Sequence, residues 1–468
     1  MKKETENTKD PIQKTASLHN LGCKVNAYEM DVMEELLREN GYRIVPFTEP
    51  ADVVIVNTCT VTNIADRKSR QMLHRAKKLN PNGVVVAVGC YVQTGLEDAL
   101  KDAGIDLCIG NNKKGELVQL IAEYLGLEKK DKTLGNQSVI DVNAECAYED
   151  MQLKKISEHT RAYIKIQDGC NQFCTYCIIP FARGRVRSRR PEEILTEVRT
   201  LSEAGCREFV VTGIHISSYG YDLAYPDKKP MANQFHEESL LALLQAMDGI
   251  PGVERIRLSS LEPRIITPTF VQGIAGLRSI CPHFHLSLQS GSDTVLKRMN
   301  RQYTTADFAR CAELLREAFD RPAITTDIIV GFPGETEEEF AETLAFAERI
   351  GFYEMHIFKY SKRKGTPAAT MPGQLTEAEK AERSDRLEAV EKVLSGAFRA
   401  NRSGDTAEVL FEELQHINGK QYLVGNTREY IKVAVESSED LSGQIRQVCL
   451  GNELVEGILQ ATIFQIHK

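Results

Sequence analysis

IQDGCNQFCTYCIIPFARGRVRSRR, residues 166–190, sets three cysteines within the eight residues from Cys170 to Cys177 and five arginines within the eight from Arg183 to Arg190. The run before it, RAYIKIQ, reads as a strand, so the C-x3-C-x2-C set opens a loop at a strand's end. Three thiolates on one loop can hold three irons of a [4Fe–4S] cluster. Four cysteines normally hold such a cluster, so the fourth iron is left for another ligand. A closed structural zinc is the alternative, although it wants four ligands and usually pairs C-x2-C units.

The surroundings favour chemistry over a disulfide framework. The chain has 468 residues, 42% hydrophobic and 26% charged, with a net charge of −8. At roughly 100–200 residues per domain this predicts two to four domains. No apolar run approaches the roughly 20 residues of a membrane span, and the start, MKKETENTKDPIQK, lacks the apolar stretch of a secretory signal. The expectation is a cytoplasmic protein with no membrane partner. Its twelve cysteines are then reduced and available for metal binding or catalysis. An acidic chain has no global attraction for nucleic acid, so a polynucleotide partner has to be held by a local basic patch.

Working outward, residues 14–126 alternate short apolar runs with helical stretches, from TASLHNLGC to DLCIGN, and predict an α/β domain with a parallel sheet. Residues 127–155 are polar and irregular and read as a linker. Residues 156–392 carry six βα units, too few for an eight-stranded barrel but enough for a partial (β/α)6 barrel, whose chemistry belongs at the carboxyl ends of its strands. In residues 396–464, TAEVLFEEL, KQYLVGNT, IKVAVES and LVEGILQATIF read as the strands of a small β-barrel.

A second group of cysteines lies in the first domain. Cys23 in LGCKVN, Cys59 in NTCTVT and Cys90 in VGCYVQ each fall just beyond the apolar run of a predicted strand. In a parallel sheet those ends emerge on one edge, where open α/β sheets bind ligands. A lone cysteine is more often an inert buried side chain; three at equivalent positions point to a metal centre. Cys108, Cys146, Cys206, Cys281, Cys311 and Cys449 have no paired spacing and read as structural. His215, His283 and His285, within or beside predicted strands, read as satisfied core or rim histidines rather than ligands.

C-x3-C-x2-C with Tyr176 before its last cysteine, on a partial barrel, resembles the radical S-adenosylmethionine superfamily. That resemblance implies that S-adenosylmethionine chelates the open iron, and that Tyr176, Thr212, Gly213, Gln289, Ser290 and Asp327, at the ends of predicted strands, line the cofactor pocket. The additional set Cys23, Cys59 and Cys90 and the C-terminal barrel, which is similar to a TRAM domain, make nearly the whole chain resemble the methylthiotransferase family. The resemblance implies two [4Fe–4S] clusters and two uses of S-adenosylmethionine. One molecule donates a methyl group to sulfur, and the other supplies the radical that takes hydrogen from an unactivated carbon. An electron donor and a sulfur source are the further partners implied, and the oligomeric state is not legible.

NQFCTYCIIPFARGRVRSR resembles the MtaB type of that family, which implies methylthiolation at C2 of N6-threonylcarbamoyladenosine-37 in tRNA. Relatives act on N6-isopentenyladenosine-37 or on an aspartate of a ribosomal protein; an iron–sulfur electron carrier or a metal-stabilised RNA-binding module is the reading without catalysis. Arg183, Arg185, Arg187, Arg189 and Arg190 could contact phosphates or the threonyl carboxylate through bidentate guanidinium forks, with a solvated charge run as the alternative for Arg189 and Arg190. From Asn401 onward there are six Lys and Arg against ten Asp and Glu, unexpected for a domain that grips RNA. A local basic face of Lys420, Arg428, Lys432 and Arg446 could still serve, and Lys359, Lys362, Arg363 and Lys364 add charge after the last barrel strand.

Overall fold

Short strands with wholly buried side chains make the centre of the first unit. After β1 (Thr15–Asn20), α1 (Lys24–Glu39) and the two-residue β2 (Arg43–Ile44) come β3 (Val53–Thr58), α2 (Asn63–Leu79) and β4 (Val84–Gly89). The short helices α3 (Cys90–Thr94) and α4 (Leu96–Lys101), β5 (Leu107–Ile109) and α5 (Leu117–Gly126) complete it. Every residue of β3 (VVIVNT) and β4 (VVVAVG) is buried, as a parallel sheet covered on both faces requires. All pairings are parallel, in the order β2-β1-β3-β4-β5. Helix α2 begins where the Thr62 side chain accepts from Ala65 N, and it turns Leu73 and Ala76 into the core.

The computed structural model describes residues 13–126, 138–144, 147–155, 160–226, 235–437 and 439–464. One compact unit runs to Leu153 and takes in Phe181–Arg183; the other holds Lys154–Pro180 and everything from Gly184 onward. The linker expected at 127–155 is therefore revised in its described part. Val142, Met151 and Leu153 are buried, Tyr28 donates to the Met151 carbonyl at 2.5 Å and Gly110 N donates to the Ser138 carbonyl at 2.9 Å. Apolar residues spaced among polar ones let this segment pack on the first unit while its composition reads as solvated.

The second unit opens with β6 (Arg161–Asp168), the turn α6 (Ile179–Arg183), whose last three residues fold with the first unit, and β7 (Arg187–Ser188). Then follow α7 (Pro191–Glu203), β8 (Glu208–Gly213), α8 (Tyr221–Ala224), α9 (Glu237–Asp248), β9 (Arg255–Leu258), α10 (Pro268–Ala275) and β10 (His283–His285). The series ends with α11 (Asp293–Arg298), α12 (Thr305–Ala318), β11 (Ala323–Val330), α13 (Glu337–Ile350), β12 (Glu354–Lys359) and the long α14 (Glu377–Ala400). Strands β6, β8 and β9 pair in parallel, as do β10, β11 and β12; parallel bridges Ile256↔Ile280 and Leu261↔Leu286 join the two sets. The six parallel strands form the open barrel that the six βα units predict, with β7 antiparallel on the outer edge of β6. Capping boxes at Thr304/Asp307, Thr336/Glu339 and Thr376/Glu379 start α12, α13 and α14.

Strands β13 (Thr406–Ile417), β14 (Lys420–Thr427), β15 (Lys432–Glu436), β16 (Ile445–Val455) and β17 (Ile458–Ile463) close into a barrel in the order β13-β14-β15-β17-β16. The sequence reading takes LVEGILQATIF as one strand and misses most of β16. Gly457 (φ 82°) turns the chain there, and Arg446, Gln447, Asn452 and Glu453 face solvent along β16, hiding its apolar positions.

This small barrel docks at the amino ends of the parallel strands. Glu208, the first residue of β8, meets Arg257 Nε at 2.9 Å, Arg255 Nη1 at 3.5 Å and Arg161 Nη1 at 4.0 Å. Arg255 donates to the Asn426 and Glu408 carbonyls at 3.0 and 2.9 Å, and Arg257 to the Arg428 carbonyl at 2.9 Å. Burial alone would raise the Glu208 carboxyl; Arg257, Arg255 and Arg161 draw it down to about 2. A carboxyl depressed from 4.5 stabilises the fold fully above that pH and loses its contribution as pH falls towards 2. Glu208→Gln is therefore expected to cost about 3–5 kcal/mol in denaturant unfolding at neutral pH, because it leaves buried guanidiniums uncompensated. The deficit should shrink as the titration is repeated below about pH 4.5.

Candidate functional site

The loop bearing Cys170, Cys174 and Cys177 is tied down along its whole length. Gly169 has φ 74°, and a Cβ there would lie 1.8 Å from the Arg185 carbonyl oxygen, so only glycine permits the approach of the two backbones. Gln167 Nε2 donates to the Asp168 and Gly169 carbonyls at 2.7 and 2.6 Å. Cys170 N reaches the Gly184 carbonyl at 3.0 Å, Thr175 N the Met299 carbonyl at 3.0 Å, and Asn300 Nδ2 the Phe173 carbonyl at 3.1 Å. Arg301 Nη1 donates to Cys174 Sγ at 3.2 Å. Burial pushes the Cys170 thiol up to about 12 and Cys177 higher still. Without a metal these groups are thiols, and a bound cation is what stabilises their thiolates.

Cys23, Cys59 and Cys90 lie at the carboxyl ends of β1, β3 and β4, adjacent strands of one sheet. Gly22, at φ 108°, carries the chain past Cys59 so closely that a Cβ would sit 3.1 Å from its Sγ. Burial, with Cys90 nearby, raises Cys59 to about 11. Cys90 is buried as well, and Cys23 is the exposed member of the set. Asn111 Nδ2 donates to Cys90 Sγ at 3.5 Å. Cys108, Cys206, Cys281 and Cys311 are buried in the core and Cys449 is half-buried; Cys146 lies outside the described residues.

Both sets suit a cluster better than a single ion. Around one zinc, Zn–S bonds of about 2.3 Å put sulfurs about 3.8 Å apart. Among the described residues neither cysteine set has its sulfurs all within 4.8 Å of one another, yet within each set the thiols lie near enough for their charges to interact. Each set also has one side-chain N–H donated to a sulfur, the kind of contact that tunes iron–sulfur centres.

Thr212 and Gly213 end β8 beside Gln167, whose Oε1 accepts from His215 N at 2.7 Å. Tyr176 packs its ring edge-on to Phe332, centroids 6.5 Å apart. Gln289 adopts φ 74° and bridges β11, with its N donating to the Asp327 carbonyl at 2.9 Å. Ser290 Oγ is engaged within the protein, accepting from Ser292 N at 3.2 Å. Asp327 departs from the expectation of a strand end, since β11 continues to Val330. Its carboxylate lies between His356 Nδ1 at 3.2 Å and His285 Nε2 at 3.3 Å. Burial alone would raise this carboxyl, and the two imidazoles hold it well below the usual carboxylate range. His285 is partnered on its other side as well, Nδ1 lying 3.0 Å from Thr325 Oγ1, and His283 packs on Tyr430 with centroids 5.2 Å apart.

Sequence reasoning missed Arg301, Glu262 and Arg264. Arg264 Nε pairs with Glu262 at 2.7 Å, and burial, with Arg301 and Arg264 nearby, draws His215 down to about 3, leaving a neutral imidazole. MNRQYT and SLEPR carry no spacing pattern that marks them; only the fold brings them beside the cysteine loop.

The arginine run is largely buried, which corrects its reading as a substrate-contacting or solvated segment. Arg183, 1% exposed, meets Glu29 Oε1 at 2.5 Å and Asn26 Oδ1 at 2.6 Å. Arg187 is buried 4.0 Å from Asp168, and Arg189 is buried against Glu197. Arg185 and Arg190 are exposed, Arg185 lying 4.4 Å over the Phe173 ring. In the small barrel, Arg428 donates to the Arg278 and Ile280 carbonyls at 2.7 and 2.8 Å and Lys420 pairs with Glu436, which leaves less of the basic face free than expected. Arg363 is also buried. No helix among the described residues is long and apolar enough to cross a membrane.

A family model for the radical SAM superfamily matches residues 164–347, and one described as uncharacterized protein family UPF0004 matches residues 15–110. The structure of the radical S-adenosylmethionine methyltransferase TsrM from Kitasatospora setae, with cobalamin and a [4Fe–4S] cluster bound, shares the fold. Its TM-score is 0.53 at 14% identity, covering 76% of this chain and 74% of that one. Open barrel and three-cysteine loop together define a radical SAM protein. Among curated relatives, the threonylcarbamoyladenosine tRNA methylthiotransferase MtaB of Bacillus subtilis is 40% identical over 93% of each chain. The tRNA-2-methylthio-N(6)-dimethylallyladenosine synthase of Moorella thermoacetica is 36% identical over 94% of this chain and 96% of its own. The chain belongs to the radical SAM methylthiotransferase family and is of its MtaB type.

It is therefore a transferase that uses S-adenosylmethionine and [4Fe–4S] clusters, not an electron carrier or a passive binding module. When bound, these groups supply the methyl group and the one-electron chemistry; the chain binds, orients and shields them. Gly169→Ala is expected to lower iron from about eight to about four per chain, two four-iron centres becoming one. Iron assay of anaerobically reconstituted protein checks this.

Proposed function

We propose that this chain methylthiolates C2 of N6-threonylcarbamoyladenosine at position 37 of tRNA. Cys170, Cys174 and Cys177 hold the centre at which S-adenosylmethionine is cleaved, and Cys23, Cys59 and Cys90 hold the centre that serves sulfur. The observation that carries this reading is the pair of three-thiol sets, one at strand ends of each unit, each one ligand short of four, with Cys59, Cys90 and Cys174 buried, Cys170 and Cys177 half-buried and Cys23 exposed. The MtaB enzymes at 36–40% identity, whose names give that nucleoside, support the substrate. Tyr176, Thr212, Gly213, Gln289, Ser290 and Asp327 border the cofactor, with His285 and His356 holding the Asp327 carboxylate. Arg185, exposed and braced on Phe173, is the arginine of the run that meets tRNA phosphate or the threonyl carboxylate. A one-electron donor and a sulfur donor complete the partners, and the reaction belongs to the cytoplasm. Synthases of 2-methylthio-N(6)-dimethylallyladenosine at 36% identity make isopentenylated adenosine the competing substrate.

Nucleoside analysis of tRNA from a deletion strain decides between them. Loss of the methylthio-threonylcarbamoyl nucleoside is expected, and loss of the isopentenyl counterpart instead would replace the assignment. Cys23→Ala, Cys59→Ala and Cys90→Ala are expected to form 5′-deoxyadenosine within about twofold of wild type while methylthiolated product falls by about 100-fold or more. Loss of cofactor cleavage in all three would show that the roles of the two sets are exchanged.

A further inference from the structure

The first unit buries an ion network among the loops that carry Cys23, Cys59 and Cys90. Lys114 is 0% exposed, and Glu29 and Arg183 are each 1% exposed. Glu29 is shared: Arg183 Nη1 and Nη2 donate to its two oxygens at 2.5 and 3.0 Å, and Lys114 Nζ forms a short ion pair with it. Buried cations are costly to desolvate, and an opposite charge nearby offsets that cost.

The network is also wired into the cysteine loops. Asn26, which accepts from Arg183 Nη2 at 2.6 Å, donates its own amide to the Leu21 carbonyl at 2.6 Å and the Thr58 carbonyl at 3.1 Å. Those carbonyls lie two residues before Cys23 and one before Cys59. Lys114 Nζ also reaches Asn57 Oδ1 at 3.3 Å, and a Cβ on Gly89, the neighbour of Cys90, would lie 3.5 Å from that Nζ. Arg183 acts electrostatically on Cys23 and Cys59, and Cys90 acts on Lys114.

We propose that Lys114 and Arg183, oriented by Glu29, present positive charge to the iron–sulfur centre held by Cys23, Cys59 and Cys90, and that these two cations set how readily the centre accepts an electron. This rests on those three cysteines holding the auxiliary centre. Three thiolates on a doubly positive [4Fe–4S] core carry a net charge of −1, and one electron makes it −2. A neighbouring positive charge favours the reduced form, and a neighbouring negative charge opposes it. Lys114, Arg183 and Glu29 are positioning residues here, acting on the centre through the local field.

The test uses the full chain with Cys170, Cys174 and Cys177 changed to Ala, so that one centre remains. Iron content is measured first and anaerobic reductive titration followed by electron paramagnetic resonance second. About four irons per chain supports the cysteine assignment; none refutes that assignment and the proposal with it. With the centre present, Lys114→Met is expected to lower the reduced-to-oxidised ratio at fixed poise about tenfold, a shift of about 59 mV for one electron. Glu29→Gln, which removes a negative charge beside the two cations, is expected to shift it in the opposite direction. Asn57→Asp adds a negative charge beside Lys114 at equal volume and should act like Lys114→Met, which covers the case in which that variant does not assemble. Arg183→Lys should stay near wild type. Shifts of the same sign for Lys114→Met and Glu29→Gln, or none beyond twofold, would overturn the proposal and leave the network a structural one.

Discussion

A thiolate cut off from water is unstable unless a cation meets it, and the buried cysteines of both sets live under that constraint. Burial is the largest cause that takes Cys59 to about 11 and Cys170 to about 12, so the metal-free protein keeps these two sulfurs protonated and nearly inert. What the chain contributes is position. Strand ends, two glycines in the left-handed region and a set of carbonyls pinned by side-chain amides hold each thiol where a cluster can take it. The cost of burying the charge is met by the metal when it binds, which couples cluster assembly to the local order of the loops.

The arginine run after the central cysteines is governed by the same electrostatics. Arg183 and Arg189 have carboxylate partners inside the protein, and Arg187 lies beside another. Guanidinium suits such sites because it stays charged and presents several donors in a plane. Arg183 lies six residues beyond Cys177 in sequence but folds with the unit that carries Cys23, Cys59 and Cys90. A stretch that looks like a polyanion-binding patch therefore serves mainly to complete buried ion pairs, and only Arg185 and Arg190 of the run are exposed.

The acidic small barrel has a comparable explanation. Carbonyls of β13 and β14 receive Arg255, while Arg257 reaches the Thr427 and Arg428 carbonyls at the end of β14; Arg428 in return donates to carbonyls ahead of β10. Glu208 gathers the guanidiniums at the amino ends of the strands. The barrel's fixed location is thus at the end of the parallel strands remote from the cysteine loop, where chemistry does not need access.

The sequence by itself determined the layout of the parallel sheet, the six strands of the open barrel and the grouping of two sets of three cysteines. Those features are written in local patterns: runs of buried β-branched residues, C-x3-C-x2-C, and a cysteine just past each of three strands. Tertiary structure alone decided the partners of charged groups. Glu29 meets Arg183 across 154 positions of chain and Lys114 across 85, and Asp327 meets His285 and His356 from neighbouring strands. Composition reports that a charge exists but not which charge faces it, because burial and pairing depend on contacts between residues far apart in the chain. For the same reason Arg301 and the half-polar strand Ile445–Val455 carried no signal until the backbone around them was folded.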